Sequence, residues 1–182
     1  LRSLASHPAV AAIGECGLDF YRLPSRMGQG TPDDDERLRL RQTVLFQQQL
    51  EVAAELGLNV VVHTRESFEA TLACFEPFAG RVRAVFHCFV GTPAEMRRVM
   101  DLGSLVSFTG ILTFKNSATV RETLAATPAG RFMLETDCPS LAPVPHRGRR
   151  CEPAFVREVA MTAAAVTGRS VDEIAHDTGS TA

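Results

Sequence analysis

Five short apolar runs, each followed by a stretch of helical character, constrain this chain most. They cover 9–14, 58–63, 83–88, 104–108 and 131–136. Runs of that length between helical patterns read as buried strands of a parallel sheet, joined by crossover helices. Four of the five lead into a side chain of metal-ligand type. Glu15 follows AAIG, His63 follows LNVVV, His87 follows RAVF and Asp137 follows RFMLET. A parallel α/β barrel opens all its strand ends onto one face, so side chains arriving this way share a site.

The helical segments carry their own signals. Pro32 and the acidic run 33–36 mark a helix start, with the acids complementing the dipole. That helix is predicted to run to Glu55 or Leu56 and to stop at Gly57. Phe68, Leu72 and Phe75 fall on one helix face. Thr92-Pro93-Ala94-Glu95 and Ser170-Val171-Asp172-Glu173 are capping boxes, and Pro153 opens a helix through about Val166. No repeat, low-complexity tract or linker divides the chain, so 1–182 is read as a single domain.

Composition narrows the function classes. Of 182 residues, 45% are apolar and 22% charged, an ordinary globular balance. The apolar runs are far shorter than the roughly 18 residues of a membrane helix, and no signal peptide is visible at Leu1. The net charge of −2 argues against coating nucleic acid through bulk charge, while allowing a local grip on a few phosphates. Five cysteines with no C-x-x-C pair fit a reducing compartment, so the expectation is cytoplasmic. Cys16, Cys88 and Cys138 each follow a ligand-type residue. Alternation along a strand predicts that they turn into the helix layer as small buried hydrophobes.

Carboxylate and imidazole donors together suit Zn, Mn and similar ions, and carboxylate also suits Mg. One or two such ions would make a metal-bound water a nucleophile, so the pattern points to hydrolysis of phosphate esters, esters or amides. Phosphate contacts require cations near the metals. Arg65 lies two residues past His63. His146 and Arg147 follow Asp137 on its loop. Lys115, the single Lys, follows the 104–108 run.

The segments GECGLDFYR (14–22), VVHTRES (61–67), FHCFVGT (86–92), SFTGILTFKN (107–116) and ETDCPSLAPVPHRGRRCEP (135–153) resemble, in order, the signatures of the TatD-type metal-dependent deoxyribonucleases. The resemblance implies a TIM (β/α)8 barrel hydrolase with one or two divalent metals, acting on DNA, with several exonucleases among its members. It implies metal ligands at Glu15, His63, His87 and Asp137. Glu15 would bridge two ions, and Asp137 would also orient or deprotonate the attacking water. Asp19 and Glu135 would orient ligands or loop backbone. Arg65, Lys115, His146 and Arg147 would hold substrate.

The sequence also departs from that family. It has no H-x-H pair, and Cys151 stands where members usually have Asn before Glu-Pro. Against a full barrel of about 250 residues, the expectation is a partial barrel of about five of eight βα units. It would lack the first three units, needed for a complete site, and the closing helix. Open edges at 9–14 and 131–136 then predict weak stability. Two other readings are a small-molecule amidase or lactonase on the same scaffold, and an inactive fragment or pseudoenzyme.

Overall fold

A computed structural model describes residues 1–181. Five strands form one sheet in the order β1-β2-β3-β4-β5. They are β1 (Ala12–Asp19), β2 (Asn59–Arg65), β3 (Ala84–Phe86), β4 (Leu105–Phe108) and β5 (Phe132–Leu134). The pairs β1/β2, β2/β3 and β4/β5 are parallel. Strand order equal to chain order, with a helix after each strand, is the β/α repeat expected of the barrel class.

The chain divides into two compact units, 1–86 with 102–104, and 87–101 with 105–182. The first holds α1 (Arg2–Ala5), β1, α2 (Pro32–Leu56), β2, α3 (Phe68–Phe75) and β3. Helix α2 begins and ends as its sequence predicts. Thr31 and Asp34 form a reciprocal capping box, and Gly57 closes the helix with a left-handed φ of 65°. Its inward stripe of Phe46, Leu50 and Ala53 is fully buried, the i, i+4, i+7 spacing of one helix face. Phe75 and Phe86 meet edge to face at 5.8 Å. Each fully buried Phe contributes about 1.5–3 kcal/mol over exposure.

The loop from β1 to α2 is tied down by Asp35, whose carboxylate accepts Ser25 N–H at 2.8 Å and the Ser25 hydroxyl. Those two bonds hold its carboxyl below the ordinary 3.8. A lowered folded-state pKa stabilises above the unfolded value, and that gain is lost as pH falls through the folded value. Asp35→Asn is therefore expected to unfold at lower urea than the wild type at pH 7. The gap should close as the medium is acidified below the usual carboxylate range. A gap that is constant with pH would contradict this.

The second unit holds α4 (Pro93–Asp101), β4, α5 (Ala118–Ala126), β5, α6 (Val156–Thr167) and α7 (Val171–Thr181). Both predicted capping boxes form, Thr92 with Glu95 and Ser170 with Glu173. Phe108 and Phe132 pack edge to face at 6.0 Å across β4 and β5. Leu112, Leu124, Val159 and Ile174 bury around them. A short 3-10 turn, Pro153–Phe155, precedes α6.

Three expectations need correction. The first strand does not stop at residue 14: β1 runs to Asp19, so Glu15 lies inside it. The pairing with β2 shifts between Ile13 and Cys16 and then resumes, Gly17 opposite His63 and Asp19 opposite Arg65. A bulge had the look of a strand end. Likewise His63 lies inside β2. Finally, only Cys16 of the three cysteines is buried, whereas Cys88 is intermediate and Cys138 exposed. Cys88 has φ 48° and Asp137 φ 54°; such left-handed residues turn the chain off the strand, and alternation no longer applies.

Candidate metal centre

β1 and β2 bring the first two ligand-type side chains together. The bulge turns Glu15 outward while Cys16, next along, is buried. Glu15 Oε1 lies 2.6 Å from His63 Nδ1. On the other side of the ring, Asp19 Oδ2 lies 3.5 Å from His63 Nε2. The imidazole is thus set between two carboxylates, one from within the β1 bulge and one beyond it. Cys16 takes no part in this chemistry: burial, then the Glu15 charge, push its thiol up to about 12. A thiol held protonated is neither ligand nor nucleophile.

Asp19 has a second task. Its Oδ1 accepts Tyr21 N–H at 2.9 Å and Arg22 N–H at 3.4 Å. Its backbone is clamped by Gln42 of α2, which accepts Asp19 N–H at 2.8 Å and donates to Asp19 O at 3.0 Å. A cavity of about 360 Å3 opens here, lined by Glu15, Gly17, Asp19, Gln42, Gln49 and His63.

His87 is the residue after Phe86, the last of β3. In the first unit, Glu15 and His63 place a carboxylate oxygen and an imidazole nitrogen side by side; His87 opens the second unit. Carboxylate oxygen and imidazole nitrogen are donors that suit a borderline divalent ion. His87 Nδ1 also lies 3.7 Å from Glu135 Oε2. Glu135 Oε1 accepts Cys88 N–H at 2.8 Å and the Ser107 hydroxyl. Burial alone would raise the Glu135 carboxyl, but the bonds from His87, Ser107 and Cys88 outweigh it and hold it below its usual value. Ser107 had no sequence signal; only the pairing of β4 with β5 brings it to Glu135.

The remaining site residues lie as follows. Asp137 follows β5 with φ 54°, and its carbonyl accepts Ser140 N–H at 2.9 Å, closing a turn. His146 stacks on Phe155 at 3.9 Å, with Nε2 3.7 Å from Glu158 Oε1. Arg147 lies over Phe114 at 3.8 Å and donates to Ala142 O at 3.1 Å. Lys115 is exposed, next to Phe114, on a loop whose carbonyls Arg121 gathers. Arg65 lies over Tyr21 at 3.8 Å. Among the described residues, no helix is long and apolar enough to cross a membrane.

Comparison with known proteins agrees with this architecture. The chain is 38% identical over 98% of its length to an uncharacterized metal-dependent hydrolase, YcfH, of Escherichia coli K12, covering 63% of it. It is equally 38% identical over 98% of its length to the 3'-5' ssDNA/RNA exonuclease TatD of Erwinia amylovora, covering 66% of that protein. The crystal structure of YJJV, a TatD homolog from Escherichia coli K12, superposes with a TM-score of 0.84 at 25% identity, over 99% of this chain and 65% of that one. The chain thus spans about two thirds of these relatives' length. The family model for TatD related DNase matches residues 1–181. The chain belongs to the TatD related DNase family.

Proposed function

We propose that this chain is a metal-dependent hydrolase of phosphodiester bonds, working on single-stranded DNA or RNA from an end. The setting of His63 between Glu15 at 2.6 Å and Asp19 at 3.5 Å carries the reading. The exonuclease name of the Erwinia amylovora relative supports the substrate class. Glu15 and His63 would hold a divalent ion, and His87 and Asp137 join them by the likeness of their F-H-C-F and E-T-D segments. Two imidazoles beside a carboxylate favour Zn or Mn over Mg, which prefers all-oxygen surroundings. Such an ion supplies electrophilic polarisation of a phosphoryl oxygen and activation of water.

The chain's own groups do the rest. Asp19 Oδ2 flanks the His63 ring and Glu135 Oε2 the His87 ring, so a carboxylate already stands beside each imidazole when substrate arrives. Asp137 is assigned the proton of the attacking water, at a carboxylate oxygen. Arg65, Lys115, His146 and Arg147 are assigned to substrate, where cations offset phosphate charge.

The test is a short single-stranded oligonucleotide incubated with the protein and Zn2+, Mn2+ or Mg2+. Stepwise release of mononucleotides, stopped by chelator, is the expected result. Hydrolysis of a lactone or amide with the oligonucleotide left intact would replace this reading with a small-molecule one. Cleavage indifferent to chelator would end the metal assignment.

A further inference from the structure

We propose that Tyr21 and Arg65 form a nucleotide-holding step beside the metal centre, Tyr21 stacking on a nucleobase and Arg65 pairing with the adjoining phosphate. The inference rests on the nucleic-acid reading above and names the part of the substrate held. Four observations carry it.

The first is position. Asp19 faces His63, and two residues further along each segment Tyr21 faces Arg65. His63 and Arg65 are two apart on β2, so they share a side of that strand and lie about 6–7 Å from each other, and Tyr21 is placed by its contact with Arg65. The aromatic–guanidinium pair is therefore displaced from His63 by a distance on the scale of one nucleotide.

The second is rigidity. Phe20 N–H donates to Arg65 O at 2.9 Å, Tyr21 N–H to Asp19 Oδ1 at 2.9 Å and Arg65 N–H to Ser67 Oγ at 3.2 Å. Ser67 is itself buried and donates to Leu18 O at 2.6 Å. The backbone under both side chains is fixed before any ligand comes.

The third is availability. Tyr21 is 45% exposed although it is large and aromatic. Its ring carries the Arg65 guanidinium at 3.8 Å, which leaves a guanidinium–ring stack on which a base can be added. Among the described residues Arg65 has no carboxylate partner, whereas nearby Arg26 is paired with Glu66. The uncompensated charge is the one next to the ring.

The fourth is chemistry. An aromatic face accepts any base, and a guanidinium any phosphate, so the step is indifferent to sequence. That suits an enzyme that trims a strand from its end and meets every base in turn.

Composition supplies the assay, since Tyr21 is the single Tyr and there is no Trp. The full chain labelled with 3-fluorotyrosine gives one 19F resonance. It is titrated, with Zn2+ present, against a short hydrolysis-resistant oligo(dT) and against an abasic oligomer of equal charge. The expected result is a shift with oligo(dT) and none with the abasic oligomer. Tyr21→Ala should weaken oligo(dT) binding about tenfold with thermal stability unchanged, and Tyr21→Phe should bind as the wild type does. Arg65→Gln should lower the slope of log Kd against log salt by about 0.7, the loss of one phosphate contact on a single strand. A resonance unmoved by oligo(dT), equal shifts with both oligomers, or wild-type affinity in Tyr21→Ala would each overturn the proposal. Base-dependent shifts without metal-dependent nucleotide release would leave the stacking step standing and remove the nuclease reading instead.

Discussion

Glu15→Gln is expected to lower metal-dependent oligonucleotide hydrolysis by more than about 100-fold, since losing even an outer partner of a ligand typically costs 10–100-fold. Glu15 supplies the anion beside His63, with Oε1 2.6 Å from Nδ1, and a glutamine amide there would not neutralise a divalent ion. The side chain is about half exposed and sits at the bulge, outside the packed core. Thermal stability should therefore stay close to that of the wild type, which separates loss of chemistry from loss of fold. Activity within a few-fold of the wild type would remove Glu15 from the site.

Gly17→Ala should do the reverse and damage the fold first. Gly17 has φ +142°, a conformation L side chains rarely adopt, and a Cβ there would lie 2.0 Å from the His63 carbonyl oxygen. Backbone strain and overpacking against an immovable strand each cost about 1–3 kcal/mol. Their sum, roughly 2–6 kcal/mol, is a large part of the stability of a domain this size. The expected observation is a marked fall in urea midpoint. Any folded remainder should have lost metal affinity, because β2 can relieve the clash only by moving His63. A midpoint unchanged by the substitution would mean that the close approach of β1 to β2 is not as described.

The features legible in the sequence were those written locally. The span of α2 could be read from Pro32, its acidic first turn and Gly57, because each acts through its own backbone. The capping boxes at Thr92 and Ser170 are four-residue signals and form as spaced. The five strands were legible in order and number, but not in extent. A bulge is a property of two strands, and Gly14 and Gly17 alone cannot distinguish a strand's end from its closest approach to a neighbour. The same limit governs the site. Glu15, His63 and His87 could be named from their place after apolar runs. What holds them could not: Ser107 on Glu135 depends on sheet pairing, and Tyr21 on Arg65 joins a loop to a strand 44 positions later. His146 on Phe155 and Arg147 on Phe114 are of the same kind. Long-range side-chain pairs carry no local pattern, so a cation can be recognised as present without its partner being foreseen.

The central claim is that Glu15, His63 and His87 together hold a divalent ion, and Co2+ titration tests it most directly. Visible absorption reports the nitrogen and oxygen donors around that ion, independently of any turnover. The account predicts a saturable Co2+ spectrum in the wild-type chain, displaced by Zn2+, and its loss in each of Glu15→Gln, His63→Ala and His87→Ala with folding retained. An identical spectrum and affinity in all three variants would contradict it.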